Sequence, residues 1–385
     1  MTAPLRTLDP AAEDTSDLEA VRDVVGDARL VCLGESAHAV TEYYLARDRL
    51  CRYLVTELGF TVFALESGLA DGLAVDAWVR GGDGDLQSLS RTGITYEFGD
   101  NDPFRAQLAW MRSRSVRYSG IDMPGSGVDP GPAVAACLDR LPPRDGDDAL
   151  RAVSRLGDRY AAPLRWAGMG PDERERLRAG VAELGERAAD AAEPVRLCAA
   201  GAQLVLSWLT DGPTIGPDHN PRDELMAATV RGLLERGERV VLGAHNGHVQ
   251  RHPLLGAPTL GTLLAPELGS DMIVIGTTRA SGTIADLRAT EDDPLVPAAA
   301  STETLAAPAP HMLDARMDEL GPLHLTDLRR LPDGALDGVT AIGMQHLVLD
   351  VDPAAYDAVV HVREINPLPG VVATMQAAID EAGQV

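Results

Sequence analysis

The chain reads Ala28-Arg29-Leu30-Val31-Cys32-Leu33 and continues as Gly34-Glu35-Ser36-Ala37-His38, so that an apolar run ends abruptly in polar residues. A continuous apolar run of this length is typical of a strand that is buried on both faces of a sheet. Apolar residues then recur at helical spacing over residues 43–58. A buried strand followed by a helix predicts a βα unit whose polar residues lie in the connecting loop.

The same alternation of strand and helix patterns continues along the chain. Further helices are predicted over residues 69–80 and 222–235. The candidate strands besides residues 28–33 are residues 61–65, 115–118, 239–242, 272–276, 347–350 and 358–362. Such alternation predicts an α/β fold with a mostly parallel central sheet that is flanked by helices.

The middle of the chain has a different pattern. Residues 130–209 contain no strand pattern, and helix-forming residues recur there at helical spacing. We therefore predict an α/β catalytic core formed by residues 1–129 and 211–385, with a helical lid inserted at residues 130–210. Residues 285–310 are rich in Ala, Pro, Thr and Asp, a composition that predicts a long loop.

The chain is strongly acidic, with a formal net charge of −24 at pH 7. A nucleic-acid-binding surface needs a basic patch that contacts the phosphates, so no nucleic-acid partner is expected. The charge is compatible with a small neutral or cationic molecule as the partner. The chain contains no lysine, which excludes Schiff-base catalysis and a lysine-anchored pyridoxal phosphate.

The sequence contains no stretch of roughly 18 uncharged apolar residues, so no membrane span is predicted. Its first residues do not combine a basic segment with an apolar one, so no secretory signal is expected and a cytoplasmic location is predicted.

No cysteine pair has CxxC spacing, which favours buried free thiols over a disulfide framework or a zinc site. No oligomeric state is predicted.

Polar side chains follow several of the predicted strands at the point where each strand ends. In an open parallel sheet, ligands bind beyond the carboxyl ends of the strands. The polar residues at these positions are Glu35, Ser36, His38, Glu66, Ser67, Asp122, His245, Asn246, His248, Thr277, Thr278 and Arg279. Three of the nine histidines of the chain are among them. We therefore expect many of the catalytic and substrate-binding groups to belong to this set.

Several of these residues also have a structural alternative. Glu66 follows an uninterrupted apolar run and is expected to be buried, either as a functional carboxylate or as the cap of a helix. His38 alone is consistent with a capping histidine, whereas Glu35, three residues earlier, can orient its imidazole. Arg47 on the following helix either pairs with a carboxylate or is exposed to solvent.

The common catalytic motifs are absent from the sequence. The chain has no GxSxG nucleophile elbow, no P-loop and no GxGxxG after a predicted strand, so a serine-dependent α/β-hydrolase is not expected. Histidine and carboxylate chemistry remains, in which a neutral histidine takes a proton from water and the water attacks an acyl carbon. A second histidine or an arginine then stabilises the oxyanion. The same side chains would also suit Zn²⁺, Mn²⁺ or Fe²⁺, and this metal-dependent alternative stays open.

The ordered set of motifs resembles the erythromycin esterase family. The run Leu33-Gly34-Glu35-Ser36-Ala37-His38, followed by Glu42 and Arg47, is similar to the opening motif of that family. The other similar segments are Ala64-Leu65-Glu66, Tyr118-Ser119-Gly120-Ile121-Asp122-Met123, Arg222-Asp223 with Met226-Ala227, Ala244-His245-Asn246-Gly247-His248-Val249 and Tyr356-Asp357-Ala358-Val359-Val360. They occur in the family order and extend over most of the chain.

The resemblance implies a sheet core with a helical lid. It also implies hydrolysis of a macrolide lactone ester by activated water, without a metal or another cofactor. His38 matches the general base of the family, and Glu35 and Glu66 match its essential acidic residues. His245 and His248 match its pair of essential histidines. These five residues are therefore predicted to be catalytic.

Arg47 matches the essential arginine of the family, and we assign it to substrate binding together with Asp122, Ser67 and Asn246. Ala39 is a departure, because the family usually has glycine after the motif histidine and an alanine backbone is less free to approach a ligand. The resemblance does not transfer a substrate, since the walls of the pocket decide it.

The expected function is hydrolysis of a small-molecule carboxylic ester or macrolactone by histidine-activated water. Three alternatives stay open. The scaffold could catalyse a biosynthetic acyl transfer or cyclisation, the same histidines and glutamates could form a metal-dependent hydrolase, or the chain could bind a ligand without hydrolysing it.

Overall fold

A computed structural model describes residues 1–290 and 296–383. The chain divides into two compact units. The first unit consists of Met1–Ala64, Leu233–Asp286 and Ser301–Val372, and the second consists of Leu65–Gly232, Leu287–Ala300 and Ala373–Val385. The predicted α/β fold, with a mostly parallel central sheet and flanking helices, is confirmed.

Eleven strands and fifteen α-helices make up the described part of the chain. The strands are β1 (Thr2–Pro4), β2 (Leu30–Glu35), β3 (Val62–Gly68), β4 (Arg117–Asp122), β5 (Val240–His245), β6 (Met272–Ala289), β7 (Pro297–Thr304), β8 (Leu323–Asp327), β9 (Ala341–Met344), β10 (Leu347–Asp350) and β11 (Ala358–Ile365). The helices are α1 (Glu19–Val25), α2 (Thr41–Leu58), α3 (Leu73–Val79), α4 (Leu86–Thr92), α5 (Asp102–Arg114), α6 (Gly131–Leu138), α7 (Asp147–Val153), α8 (Ala161–Gly168), α9 (Pro171–Ala188), α10 (Glu193–Asp211), α11 (Pro221–Glu235), α12 (Asn246–Val249), α13 (Leu260–Leu268), α14 (Leu313–Asp318) and α15 (Val371–Ala382). Short 3-10 turns cover Ser16–Leu18, Gly125–Gly127, Gly269–Asp271, Leu328–Arg330 and Pro353–Ala355.

Strand β2 lies between β6 and β5 in the first unit, where the strand order is β1-β8-β11-β6-β2-β5. It runs parallel to both neighbours, and all of its residues are buried. A strand with both faces covered has no polar side, which explains why its sequence is apolar without alternation. The register places Glu35 opposite His245, so that both residues lie at the same edge of the sheet.

Helix α2 follows β2 and completes the predicted βα unit. It buries charged side chains as well as apolar ones, among them Arg47, Asp48 and Arg49. These charges form the ion pairs Arg47–Glu35, Asp48–Arg52 and Arg49–Asp17. An unpaired buried charge is strongly unfavourable. A shift of α2 along the sheet would separate Arg47 from Glu35 and Arg49 from Asp17, so these two pairs fix the position of the helix.

The long loop predicted at residues 285–310 is wrong. Strand β6 continues to Ala289, and β7 pairs with it over Pro297–Thr304. Pairing with β6 satisfies the backbone of an Ala- and Thr-rich segment, and a proline is tolerated at the first residue of a strand. Residues 291–295 of the predicted loop lie outside the described residues.

The regular structure of the predicted lid, residues 130–210, is helical and consists of α6 to α10. Helix α10 packs against α6 and α9. Their apolar faces bury a cluster of side chains that includes Val134, Leu177, Val181 and Ala202. The helical content agrees with the sequence pattern, while the function as a lid stays a prediction. None of the described helices is both long and apolar enough to span a membrane.

The four cysteines, Cys32, Cys51, Cys137 and Cys198, are free and buried, as predicted. Burial raises the pKa of the Cys137 thiol to about 11. Because the thiolate is the reactive form of cysteine, a thiol in such surroundings is inert at neutral pH. The cysteines therefore contribute to packing, and they form no disulfide framework.

A stacked pair of histidines lies between β8 and β11. His324 and His361 are directly opposite in the antiparallel register, both are buried, and their ring centroids are 5.3 Å apart. The Nε2 of His324 donates to the carbonyl of Met317 at 2.9 Å. Thr278 and Asp318 contact the two ring nitrogens of His361 at 3.0 and 3.3 Å. Burial, together with the neighbouring His324, lowers the pKa of His361 to about 4.

Acid is expected to destabilise the protein through this pair. Between the ordinary histidine pKa of about 6.5 and the folded value of about 4, the unfolded chain binds a proton at His361 that the folded chain does not. The free energy of unfolding therefore falls by up to about 3 kcal/mol as the pH is lowered through this range. Urea titrations at about pH 7 and about pH 4.5 measure the difference.

The substitution His361→Asn is expected to reduce this pH dependence. The matched control is His311→Asn, because His311 is exposed and lies outside the stacked pair. If the two variants and the wild type lose stability equally on acidification, the histidine pair is not the acid-sensitive group.

Candidate active site

The carboxylate of Glu35 is held between His38 and Arg47 in the first unit. Its Oε1 lies 2.9 Å from the Nδ1 of His38, and its Oε2 accepts a hydrogen bond of 2.6 Å from the Nη1 of Arg47. The side chains of Glu35 and Arg47 are each 6% exposed, whereas that of His38 is 31% exposed. The ion pair is therefore buried, and the imidazole is the accessible member of the triad.

These contacts determine the tautomer of His38. Because an ionised carboxylate only accepts, the Nδ1 of His38 carries the hydrogen in its bond to Glu35. In the neutral ring the Nε2 is then the basic nitrogen. Arg47 holds Glu35 from the other side and stacks on the ring of Tyr44 at 4.4 Å. A histidine that a carboxylate orients in this way is suited to take a proton from water.

His245 lies beside His38, with ring centroids 4.9 Å apart and ring planes tilted by 47°. It caps helix α12, because its Nδ1 accepts a hydrogen bond of 3.1 Å from the N–H of Gly247. In the neutral ring the hydrogen is therefore on the Nε2, which makes His245 a donor and suits it to stabilise an oxyanion. His248 lies on the same short helix and is partly exposed.

The side chain of Asn246 links the end of β5 to β6 by hydrogen bonds. Its side chain is buried, its Oδ1 accepts from the N–H of Thr277 at 3.1 Å, and its Nδ2 donates to the Thr277 carbonyl at 2.8 Å. The Thr277 hydroxyl accepts from the N–H of Ser36 at 2.7 Å. These bonds connect the ends of β5 and β2 to β6. Both ends of the Asn246 amide bind backbone, so its position favours a structural role over the substrate contact that the sequence predicts.

Two glycines make room for Asn246. A Cβ on Gly34 would lie 2.3 Å from the Oδ1 of Asn246. A Cβ on Gly276 would lie 2.8 Å from the ring of Tyr356 and 3.4 Å from the same Oδ1. Gly34 is therefore required by close packing across the sheet.

In the second unit, Arg222 bridges two buried carboxylates. Its Nη2 donates to the Oε1 of Glu66 at 2.9 Å and to the Oδ2 of Asp122 at 2.6 Å, and its Nε donates to the Oδ1 of Asp122 at 3.0 Å. Asp122 also accepts bonds from the Tyr96 hydroxyl at 3.2 Å and from the N–H of Met123 at 2.7 Å. The carboxylates lie at the ends of β3 and β4, where the sequence places them.

The surroundings of Arg222 keep it charged. Burial lowers the pKa of Arg222, but the carboxylates of Asp122 and Glu66 outweigh burial and raise this pKa well above its usual value. Burial raises the pKa of the Tyr96 hydroxyl, so that the hydroxyl stays protonated and donates to Asp122. The result is a fixed cation between two acceptors at the strand ends of this unit.

Ser67 holds the turn that carries Tyr96. Its hydroxyl accepts bonds from the N–H of Thr95 at 2.9 Å and from the Thr95 hydroxyl at 3.2 Å. Tyr96 and Glu97 follow with φ values of 59° and 58°, which are unfavourable for residues other than glycine. The bonds of Ser67 therefore stabilise a strained turn, and its position favours this structural role over the predicted substrate contact.

The structure brings together Glu35, His38, Arg47 and His245 in the first unit, and Glu66 and Asp122 in the second. The sequence assigned no role to Arg222, Tyr96 or Thr277, although each contacts a predicted site residue or its neighbour. The signal for Arg222 was its place at the start of α11, directly after Pro221. Tyr96 gave no signal, because it reaches Asp122 through a turn that no local pattern predicts.

The contacts of Glu35 bear on the metal-dependent alternative. One of its oxygens faces His38 and the other accepts from Arg47. A metal ion that bound Glu35 would displace one of these partners, and it would bring a second cation next to the guanidinium. The donor set around Glu35 therefore fits general-base chemistry better than metal coordination.

Comparisons with known proteins extend over most of the chain. The family model described as erythromycin esterase matches residues 55–365, a segment that includes Glu66, Asp122 and His245 but not Glu35 or His38. The chain is 25% identical over 317 residues to erythromycin esterase type II of Escherichia coli, covering 71% of this chain and 74% of that protein. It is 25% identical over 303 residues to erythromycin esterase type I of the same organism, covering 69% and 72%.

Among solved structures, a mutant of the erythromycin esterase EreC in its open conformation has a similar fold. The TM-score is 0.74 at 22% sequence identity, and the alignment covers 95% of this chain and 98% of that one. At this level of identity the likeness concerns the fold alone.

The Asn246 bonds give a first prediction for this site. Asn246→Asp preserves the size of the side chain but removes the donor to the Thr277 carbonyl and buries a charge. We expect the free energy of unfolding to fall by about 3 kcal/mol, as measured by urea denaturation. The matched control is Asn101→Asp, which also loses a donor, to the Phe98 carbonyl, but at a partly exposed helix cap where aspartate is favoured, so a smaller loss is expected. Equal losses in the two variants would contradict the role of Asn246.

Ala39 gives a second prediction. Its φ is 54°, in the left-handed region, and its side chain is 5% exposed. Ala39→Gly relieves this conformation but loses a buried methyl group, so stability is expected to change by less than about 1 kcal/mol. Ala39→Val adds a β-branched side chain to the same conformation and is expected to cost about 2 kcal/mol or more. Thermal denaturation compares the two, and a valine variant as stable as the glycine variant would contradict the strain.

Proposed function

The chain belongs to the erythromycin esterase family, and we propose that it hydrolyses a carboxylic ester or macrolactone with water activated by His38. The observation that carries this proposal is the contact of Glu35 with both His38 and Arg47. This contact orients His38, which is partly exposed and lies beside a second histidine, His245. Family membership supports hydrolase activity, and the assignment of the individual steps is our own.

In the first step, the Nε2 of His38 takes a proton from a water molecule, and the water oxygen attacks the acyl carbon. Glu35 stabilises the imidazolium that forms, because it accepts the Nδ1–H of that ring. In this proposal the Nε2–H of His245 donates to the oxyanion of the tetrahedral intermediate, which its tautomer and its position beside His38 support. When the intermediate collapses, His38 returns the proton to the leaving alkoxide, and the products are a carboxylic acid and an alcohol.

Arg47 acts in this proposal through Glu35. The guanidinium neutralises the buried carboxylate and holds it in the orientation that His38 requires. Since Arg47 is buried, it fits this role better than the direct contact with substrate that the sequence predicts. Glu66 and His248 remain predicted catalytic residues, and Asp122 remains a predicted substrate contact.

We propose a small ester or lactone as the substrate. The support is that the relatives are named as esterases of erythromycin, a macrolide. The net charge of −24 suits a neutral or cationic molecule better than an anionic one. Four free and buried cysteines are consistent with the cytoplasmic location that the sequence predicts.

The test of this proposal is the activity of His38 and Glu35 variants on a panel of macrolides and simpler lactones. His38→Ala removes the base and is expected to lower kcat by about 10²-fold to 10⁴-fold. Glu35→Gln is expected to lower kcat by at least about tenfold, because it no longer fixes the proton on Nδ1 or balances the imidazolium. Mass spectrometry detects the gain of one water by the substrate.

The control variant is His252→Ala, since His252 lies outside the described cluster and is partly exposed. Undiminished activity in His38→Ala would reject the proposed base. Hydrolysis in ¹⁸O-labelled water places the label in the product acid, whereas an acyl transfer or cyclisation leaves the product unlabelled. Loss of activity on chelation and its return with one metal ion would favour the metal-dependent alternative.

A further inference from the structure

A second cluster of functional side chains lies in the first unit, on elements other than those that carry Glu35 and His38. Asp286 of β6, Glu303 of β7 and His346, between β9 and β10, each place one ligand atom within 4.8 Å of the other two. The Nδ1 of His346 lies 3.7 Å from the Oδ1 of Asp286. The two carboxylates are partly buried, and the histidine is exposed.

We propose that Asp286, Glu303 and His346 bind a divalent transition-metal ion. One imidazole and two carboxylates form a donor set suited to Zn²⁺ or Mn²⁺. Ligands bound to one ion at about 2.1 Å are separated by about 3.4 Å, so the three side chains need to close by only about an ångström. The exposed side of the cluster leaves the remaining coordination positions to water.

The chain as a whole favours a cation at this place. Two carboxylates within 4.8 Å of each other repel, and a bound cation removes this repulsion. The net charge of −24 adds a long-range attraction for cations. His346 distinguishes the cluster from an ordinary patch of acidic residues. A neutral imidazole is a good ligand for transition metals, whereas calcium and magnesium prefer oxygen ligands.

The position of His346 connects this site to the candidate active centre. The preceding residue, Gln345, has a φ of 51° and donates its N–H to the carbonyl of Ser36 at 2.6 Å. Its own carbonyl accepts from the Nη2 of Arg279 at 2.7 Å. Ser36 is two residues before His38 in the sequence. An ion that ties His346 to β6 and β7 therefore braces the strained turn that holds the Ser36 backbone.

The binding test uses metal-stripped protein without a histidine tag, titrated calorimetrically with Zn²⁺ and, separately, with Mn²⁺. We expect one ion to bind per chain. His346→Ala and Asp286→Asn are each expected to weaken the affinity at least about tenfold, since even second-shell substitutions at metal sites have effects of this size. The matched control, His311→Ala, removes another exposed histidine of the same unit and is expected to bind like the wild type.

His38→Ala separates this proposal from the proposed function. It is expected to lose ester hydrolysis and to keep the affinity for the metal. Absence of binding by the wild-type protein, or equal affinity of the wild type and His346→Ala, would overturn the metal site. Loss of binding in His38→Ala with retention in His346→Ala would place the ion at the candidate active centre and would also overturn it.

The bracing of the turn is tested by amide hydrogen exchange. Zn²⁺ is expected to slow exchange of the Gln345 amide several-fold in the wild type, because this N–H is the donor to Ser36. The same amide in His346→Ala is expected to exchange at one rate with and without Zn²⁺. Unchanged exchange of Gln345 in a wild-type protein that binds Zn²⁺ would overturn the bracing.

Discussion

The pair of hydrogen bonds between the Asn246 side chain and the Thr277 backbone is the constraint on which the geometry of the first unit depends. Parallel strands are aligned by backbone bonds along their length, but these bonds do not fix the loops that follow them. Asn246 and the Thr277 hydroxyl extend the alignment beyond the strands to Ser36. The separation of 4.9 Å between His38 and His245 is a consequence, because His245 ends β5 and His38 lies in the loop after β2. Gly34 contributes by the absence of a side chain, which leaves space for the amide.

Both units bury carboxylates at strand ends and balance them with arginine. Glu35 pairs with Arg47 in the first unit, and Asp122 pairs with Arg222 in the second. A buried ion pair contributes little net stability, because the cost of desolvating two charges offsets their attraction. What such a pair contributes is orientation, since a guanidinium holds a carboxylate by directional bonds. This view explains why the buried carboxylates Glu35, Glu66 and Asp122 lie at or near the ends of β2, β3 and β4.

Most of the elements that the sequence predicts are those whose burial shows in the local pattern, although the predicted strand at Leu347–Asp350 (β10) is largely exposed. Strands β2, β3, β5 and β11 are apolar runs, and helix α2 has apolar residues at helical spacing. Strand β8 was not predicted, because its sequence Leu323-His324-Leu325-Thr326-Asp327 alternates apolar with polar residues over only five positions. His324 and Thr326 are nevertheless buried, since hydrogen bonds to one another and to the Met317 carbonyl replace those to water. Within the segment predicted as a loop, Pro297–Thr304 is a strand for a similar reason: pairing with β6 satisfies its backbone.

The sequence by itself determined which residues lie at strand ends, and therefore that Glu35, Glu66, Asp122 and His245 belong to the polar edges of the sheet. This follows from periodicity, which is a local property of the chain. Only the tertiary structure decided what these residues contact. Arg222 reaches Glu66 across 156 residues of sequence, and Asn246 reaches Thr277 across 31. Such contacts depend on which strands become neighbours, and neighbours are selected by packing that no single segment encodes. The segment from Gly34 to His38 was thus recognisable as a strand end. The packing that requires Gly34, the tautomer of His38 and the partners of Glu35 depend on the assembled sheet.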